Sequence, residues 1–200
     1  DITSNIGIDM GGTMTTSGGK IDSFITVNIR NGGFMNWTGS GQFINEGTIN
    51  NYGTISWENE QGISASQKIG VVNNYNDFVI NSKFYTANPF ENHFFNEQVL
   101  NNYGTITIDS GGASIGFADL GFNSIYNSHF NNYGTINVKQ GRLSITQEAY
   151  LKGTINIDSG AKFLVYAYKE NTTYADHQFD SLTVLGKGSS EYWGNINVTA

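Results

Sequence analysis

The sequence predicts an all-β fold built as a parallel β-helix, that is, a solenoid of stacked strands. The motif Asn-Tyr-Gly-Thr-Ile occurs at residues 51–55, 102–106 and 132–136, and a short recurring unit is typical of stacked repeat architectures. After two of these glycines, apolar and polar residues alternate, as at Ile106 and Ile108, with the two-residue period of a half-buried strand. The 25 glycines and the many asparagines favour frequent turns.

Three copies read as strand, corner and strand. In each copy an alternating strand leads into a short glycine-containing corner and then into a second apolar strand. The intervening threonines and asparagines are expected to face solvent. These copies lie at residues 104–117, 134–145 and 153–165.

The spacing between copies is uneven, which favours a solenoid with insertions over a regular meander. Gly104 and Gly134 are 30 residues apart, whereas Gly134 and Gly153 are 19 apart. The extra residues are predicted to form loops on one side of the coil. The predicted loops are residues 58–70, 85–97 and 118–129, and earlier strands are expected at residues 24–29, 42–45 and 71–75.

Two columns of like residues are expected from this stacking. Paired asparagines precede the motif, and on successive turns they should form ladders of hydrogen-bonded amides. The tyrosines should form a parallel aromatic stack. Asn76 occupies the glycine position in one weaker copy, which we attribute to the ability of asparagine to reach left-handed backbone conformations. The residues concerned are Asn50-Asn51, Asn73-Asn74, Asn101-Asn102 and Asn131-Asn132, with Tyr52, Tyr75, Tyr103 and Tyr133.

The chain is divided into a solenoid with loop insertions at residues 1–165 and a C-terminal part at residues 166–200. The C-terminal part is expected to form either the terminal turns of the coil or the start of a second, small β element. Within it we expect a polar loop up to Asp180, then a strand at residues 181–185.

Charge and composition restrict the partners. The formal net charge is −7 and the only arginines are Arg30 and Arg142, which disfavours binding to nucleic acid or to anionic membranes. There is no cysteine, so neither a disulfide framework nor a thiolate metal site is expected. We expect a monomeric domain without cofactor or metal.

Several segments are similar to one known family. Residues 43–49, the Asn-Tyr-Gly-Thr-Ile copies and the segments Leu182–Gly188 and Trp193–Ile196 resemble the N-terminal domain of fungal hyphally regulated cell wall proteins, the yeast adhesins of the Candida type. The resemblance implies a right-handed β-helix displayed at the cell wall surface. It also implies a Ser/Thr-rich glycosylated stalk and attachment to the wall glucan through a lipid (GPI) anchor, neither of which this sequence contains.

No catalytic or metal motif stands out. His93, His129 and His177 lie in loop-like sequence without a recognisable nucleophile beside them. Asp176–Asp180 combines two carboxylates and an imidazole, but a solvated loop is the expected structure. Glu58 and Glu60 would share one face of a strand, as paired carboxylates of a glycosidase would, but we expect them in a loop. The chain is therefore not expected to be an enzyme.

Aromatic residues are the better candidates for binding. Such side chains could stack on sugar rings or apolar surfaces, although most of them are expected to lie in the core or to cap its turns. The segment 84–95 is the densest in aromatic residues and is the predicted ligand-contact surface. The aromatic candidates outside this segment are Trp37, Trp57, Tyr126, Tyr192 and Trp193. Asn-x-Thr sequons are candidate N-glycosylation sites. The contact residues are Tyr85, Phe90, Phe94 and Phe95, and the sequon asparagines are Asn36, Asn171 and Asn197.

Together these features predict an extracellular adhesin domain of a fungal cell-wall protein. Its partner would be a glycan, a host protein or an abiotic surface, and its role would lie in attachment, biofilm formation and virulence. Two alternatives stay open. One is a carbohydrate-active β-helix enzyme, a polysaccharide lyase or hydrolase, and the other is a purely structural surface scaffold.

Overall fold

The computed structural model describes residues 6–39, 41, 43–58, 63–64, 68–81, 98–109, 112–115, 129–145, 149–166, 176–193 and 195–199. In these ranges all regular structure is β-strand. Neighbouring strands pair in parallel at every turn of the coil. The predicted parallel β-helix is thus confirmed, while its right-handed sense stays a prediction.

Each turn of the coil contributes one strand to a first face. The strands pair in the order in which they occur along the chain. They are β1 (Ile6–Met10), β4 (Ile25–Ile29), β7 (Thr48–Asn51), β10 (Gly70–Asn74), β12 (Gln98–Asn102), β15 (His129–Asn132), the first parts of β18 (Ala149–Ile157) and β20 (Asp176–Gly186), and β22 (Asn195–Thr199).

A second face follows the first after a short corner. Since β18 and β20 continue through this corner, they join the two faces into one sheet of 15 strands. The other strands of the second face are β2 (Thr13–Thr16), β5 (Phe34–Trp37), β8 (Thr54–Trp57), β11 (Asp77–Ile80), β13 (Thr105–Ile108) and β16 (Thr135–Val138).

The third face is formed by two shorter sheets. The first comprises β3 (Gly19–Ile21), β6 (Phe43–Asn45) and β9 (Ile63–Ser64), and the second comprises β14 (Gly112–Ile115), β17 (Arg142–Ile145), β19 (Lys162–Tyr166) and β21 (Ser189–Trp193).

The core is a column of apolar side chains inside the coil. On the second face Ile106, Ile136 and Ile155 are in register and buried, while the threonines beside them are partly exposed, as the alternation predicts. Trp37 and Trp57 are fully buried, with ring centroids 4.4 Å apart. These two tryptophans therefore belong to the core and are not exposed for contact with a ligand.

The length of one turn varies while the register is kept. Hydrogen-bonded side chains on adjacent turns are 19 residues apart for Asp9 and Asn28, and 30 apart for Asn102 and Asn132. Extra residues are therefore accommodated outside the paired strands of the first face. Most of the predicted loops at 85–97 and 118–129 lies outside the described residues.

Three expectations about loops are corrected. The segment 58–70 contains β9, with Ile63 buried, and ends at the first residue of β10. His129 is the first residue of β15. Asp176–Asp180 is the start of β20 and pairs with β18 and β22. These strands were missed because their sequences are rich in polar residues and only short apolar stretches mark them.

The strands of the C-terminal part continue the same sheets. β20 pairs with β18, β22 pairs with β20, and β21 pairs with β19, all in parallel. The division of the chain at residue 165 stays a prediction.

Candidate binding surface

In the Asn-Asn-Tyr segment at the ends of β7, β10, β12 and β15, successive side chains point alternately to the outside and the inside of the coil. In β7, Ile49 points inward, Asn50 outward and Asn51 inward. Tyr52 then points outward at the corner. Because β7, β10, β12 and β15 pair without a shift, each position of the segment becomes a column along the coil.

The inner asparagines form a buried ladder. The Nδ2 of each donates to the Oδ1 of the next turn, at 2.7 Å from Asn51 to Asn74, 2.8 Å from Asn74 to Asn102 and 2.7 Å from Asn102 to Asn132. All four side chains are fully buried. Further bonds to backbone carbonyls, such as Asn102 to Thr135 at 3.2 Å, complete their pairing, which a buried amide requires. We call Asn51, Asn74, Asn102 and Asn132 the inner ladder.

The outer asparagines form a second ladder of opposite direction, in which each Nδ2 donates to the Oδ1 of the preceding turn at 2.8–2.9 Å. The ladder ends on Asp9, which accepts from Asn28 at 3.0 Å and from Arg30. A carboxylate suits this end because only an acceptor is needed there. We call Asn28, Asn50, Asn73, Asn101 and Asn131 the outer row.

The tyrosines beside the outer row form an exposed stack. Ring centroids are 4.7, 5.1 and 5.0 Å apart from Tyr52 through Tyr75 and Tyr103 to Tyr133, and successive planes differ by no more than 9°. Each residue is 42–48% exposed. Since the ring faces contact each other, the stack presents ring edges and a line of hydroxyl groups to solvent. We call these four residues the tyrosine row.

The two rows carry no formal charge at neutral pH, and the described cations of the tyrosine column lie beyond its two ends. By register, Arg30 precedes Tyr52 and Lys152 follows Tyr133 in the same column. Each cation is paired with a carboxylate, Arg30 with Asp9, and Lys152 with Asp180 at 3.3 Å. The central part of the surface is therefore neutral and periodic.

The glycine of the motif is required by close approach of the turns. A Cβ on Gly53, Gly104 or Gly134 would lie under 3.0 Å from backbone of the preceding turn, and none of these glycines has a positive φ. Our explanation for Asn76 is therefore wrong, since it too lacks a positive φ. At Asn76 the contact with the preceding turn is slightly longer, since Asp77 N to Gly53 O is 3.3 Å, against 2.9 Å from Thr135 N to Gly104 O.

A polar cluster closes the C-terminal end of the tyrosine row. The Tyr150 hydroxyl donates to Asp180 Oδ2 at 2.7 Å, and its ring is tilted by 45° from that of Tyr133. This bond, followed by the one from Lys152, holds the pKa of Asp180 below its usual value, and the same bond raises the pKa of Tyr150. Ser181 adopts φ 51° at the adjacent irregularity of β20.

Comparison with protein-family models, with curated proteins and with solved structures gives no match for this chain.

Most of the predicted site residues lie outside the described part of the chain. Tyr85, Phe90, Phe94, Phe95 and Asn171 lie outside the described residues, as do His93 and Glu60. Asn36 is half-buried in β5, and Asn197 lies in β22 opposite Gln178. Their glycosylation stays a prediction.

The candidates for chemistry lie apart in the described residues. His129 and Glu58 are exposed on different faces, and within the described ranges no three His, Cys, Asp or Glu side chains converge as metal ligands would. No helix in the described part of the chain is long and apolar enough to span a membrane. The sequence could have revealed the surface, because Asn50 and Tyr52 follow the same alternation as the isoleucines.

Proposed function

We propose that this chain is the adhesive domain of a fungal cell-wall protein, which attaches cells to host or abiotic surfaces and supports biofilm formation. The observation that carries the proposal is the neutral, periodic surface formed by the outer row and the tyrosine row. The fungal and extracellular part of the proposal rests on the resemblance of the repeat and C-terminal segments to hyphally regulated cell wall proteins.

The geometry favours an extended partner over a small molecule. Successive tyrosines are 4.7–5.1 Å apart, so the surface repeats the same hydrogen-bonding groups over four turns. A ligand or material that presents many equivalent groups can use all the turns. Pairing along the ladders also fixes the amides before contact, which lowers the entropic cost of binding.

Attachment of this kind depends on many weak contacts. Each tyrosine offers a ring edge and a hydroxyl, and each outer amide keeps hydrogen-bonding capacity beyond its ladder bonds. Display of many copies on one cell would raise the total avidity by a large factor. The proposal includes no catalytic step and no cofactor.

The test uses beads that carry the purified chain at graded density. Attachment is measured to polystyrene, epithelial cells and insoluble neutral β-glucan under flow. We expect attachment that rises steeply with density and that falls in the double variant Tyr75→Ser/Tyr103→Ser. The matched control, Phe24→Ser/Leu185→Ser, removes exposed apolar side chains elsewhere and should attach as the unmodified chain does.

Three results would contradict the proposal. Attachment to none of these surfaces at any density would favour the purely structural scaffold. Soluble oligosaccharide released from the β-glucan would favour the enzyme. Equal attachment by both double variants, with unchanged melting temperatures, would remove the tyrosine row from the binding surface.

A further inference from the structure

The tyrosine row combines two properties that oxidative coupling of phenols requires, exposure and mutual contact. Its rings are stacked at 4.7–5.1 Å between centroids, within 9° of parallel, and each residue is 42–48% exposed. We propose that this row is a modification site at which adjacent tyrosines couple to dityrosine within one chain. The co-reactant is a one-electron oxidising system, a haem peroxidase with hydrogen peroxide.

The chemistry balances without any further reagent. Each of two phenols gives up one electron and its hydroxyl proton and becomes a phenoxyl radical. The two radicals form a carbon–carbon bond between ring positions ortho to oxygen, and the hydrogens of those carbons move to the oxygens as the rings become aromatic again. Hydrogen peroxide accepts the two electrons and two protons and becomes two molecules of water.

The register of the coil determines which tyrosines are neighbours. Tyr52, Tyr75 and Tyr103 each follow strand residues that pair without a shift, so their backbones are one strand spacing apart, about 4.8 Å. A radical formed on one ring therefore has its partner in place. Such intramolecular reactions are favoured over encounters between chains by a large effective concentration. Because the rings lie at the surface, they can turn edge to edge without disturbing the core.

Tyr150 provides an internal comparison. Its centroid is 5.5 Å from that of Tyr133, but its ring is tilted by 45° and its hydroxyl is bonded to Asp180. This bond holds the ring away from the stacked arrangement. We expect Tyr150 to contribute little to the cross-links despite its proximity.

Peptide mapping can identify one pair without ambiguity. Trypsin releases residues 31–68, in which Tyr52 is the only tyrosine, and residues 69–83, in which Tyr75 is the only one. The experiment treats the dilute full chain with peroxidase and limiting hydrogen peroxide. We expect dityrosine fluorescence, a monomer on denaturing gels, and a joined peptide with the summed mass of both peptides less two hydrogens.

Two variants sharpen the assay. Tyr75→Phe removes two of the three stacked pairs, so at low conversion the dityrosine yield from the tyrosine row should fall to about a third. Tyr192→Phe, at a ring that contacts Phe163 and Phe179, should leave the yield unchanged. In concentrated urea the joined peptide should disappear, because the register is lost.

The proposal is overturned by any of three results. One is cross-linking mainly between chains, seen as dimers whose amount rises with protein concentration. Another is a joined peptide 31–68/69–83 no more abundant than products that contain residues 143–152, which carry Tyr150. The third is oxidation of the tyrosine row without coupling.

Discussion

Replacement of Asn102 by alanine, compared with the same replacement at Asn101, tests the different roles of the two asparagines in the motif. Asn102 is fully buried. Its Nδ2 donates to Asn132 Oδ1 at 2.7 Å and to Thr135 O at 3.2 Å, and its Oδ1 accepts from Asn74 at 2.8 Å. Asn101 makes two comparable amide bonds, at 2.8 and 2.9 Å, but it points outward and is only half-buried.

The expected difference follows from what replaces the lost bonds. At Asn101 water can substitute, so the loss should stay below about 1 kcal/mol. In Asn102→Ala the buried Oδ1 of Asn132 loses its donor, the Asn102 Nδ2, and water has no access to replace it. Asn74 Nδ2 also loses one bond, but it keeps its bonds to the backbone carbonyls of Asn76 and Thr105. A net bond contributes about 1 kcal/mol and a stranded buried acceptor costs about 1–3 kcal/mol, so we expect a loss of about 2–4 kcal/mol.

Urea unfolding and thermal melting of both variants measure this difference. For a chain of this length, 2–4 kcal/mol corresponds to a fall in melting temperature of about 4–16 °C. The two substitutions change the same chemical group on adjacent residues, so effects on the unfolded chain are closely matched. Equal losses for the two variants, or a larger loss at Asn101, would refute the assignment of the inner ladder as the stabilising element.

Two further predictions concern packing and pH. Gly134→Ala places a Cβ under 3.0 Å from Gly104 O, and it should lower the free energy of unfolding in urea by about 1–3 kcal/mol. The control Gly12→Ala has nothing within 4 Å of the added Cβ, and its free energy of unfolding should stay within about 0.5 kcal/mol of the unmodified value. Equal effects of the two substitutions would contradict the close approach of the turns. The pKa of Asp180 is lowered in the folded chain, mainly by the hydrogen bond from Tyr150. The ionised carboxylate therefore stabilises the fold at pH values above the pKa of the unfolded chain, about 3.9. This stabilisation is lost as the pH falls through the lower pKa of the folded chain. Melting temperatures between pH 2 and 7 should therefore fall less steeply on acidification for Asp180→Asn than for the unmodified chain, and an unchanged slope would show that this carboxylate is not linked to folding.

Much of the fold could be predicted from sequence because the repeated motif covers the part of each turn in which the strands pair without a shift. The alternation around Ile106, the paired asparagines and the recurring tyrosines predict buried columns, amide ladders and an aromatic stack, and all three are present. The inward position of Asn102 and the outward position of Tyr103 also follow from the alternation, although the exposure of the stack was not anticipated.

Other features depend on neighbours that sequence spacing does not show. The need for glycine at Gly134 arises from the backbone of the preceding turn, 30 residues earlier at Gly104, and no local turn rule reveals it. β9 has only two residues, too few for a periodic signal. The start of β20 is rich in polar residues and resembles a loop in sequence; only its pairing with β18 identifies it as a strand. The aromatic segment 84–95 lies outside the described residues, and its contact role stays a prediction.

A designed disulfide tests the parallel register most directly, and the absence of cysteine makes the experiment clean. Val79 and Thr107 are paired on adjacent turns, at a spacing that a disulfide can bridge. They are 28 residues apart in the sequence, so only the stacking of the turns brings them together. In Val79→Cys/Thr107→Cys, mild oxidation should close a bond within the monomer, detected by faster migration on non-reducing gels. In Val79→Cys/Thr105→Cys, two residues out of register, it should not. Ready closure in the second variant and none in the first would contradict the stacked solenoid.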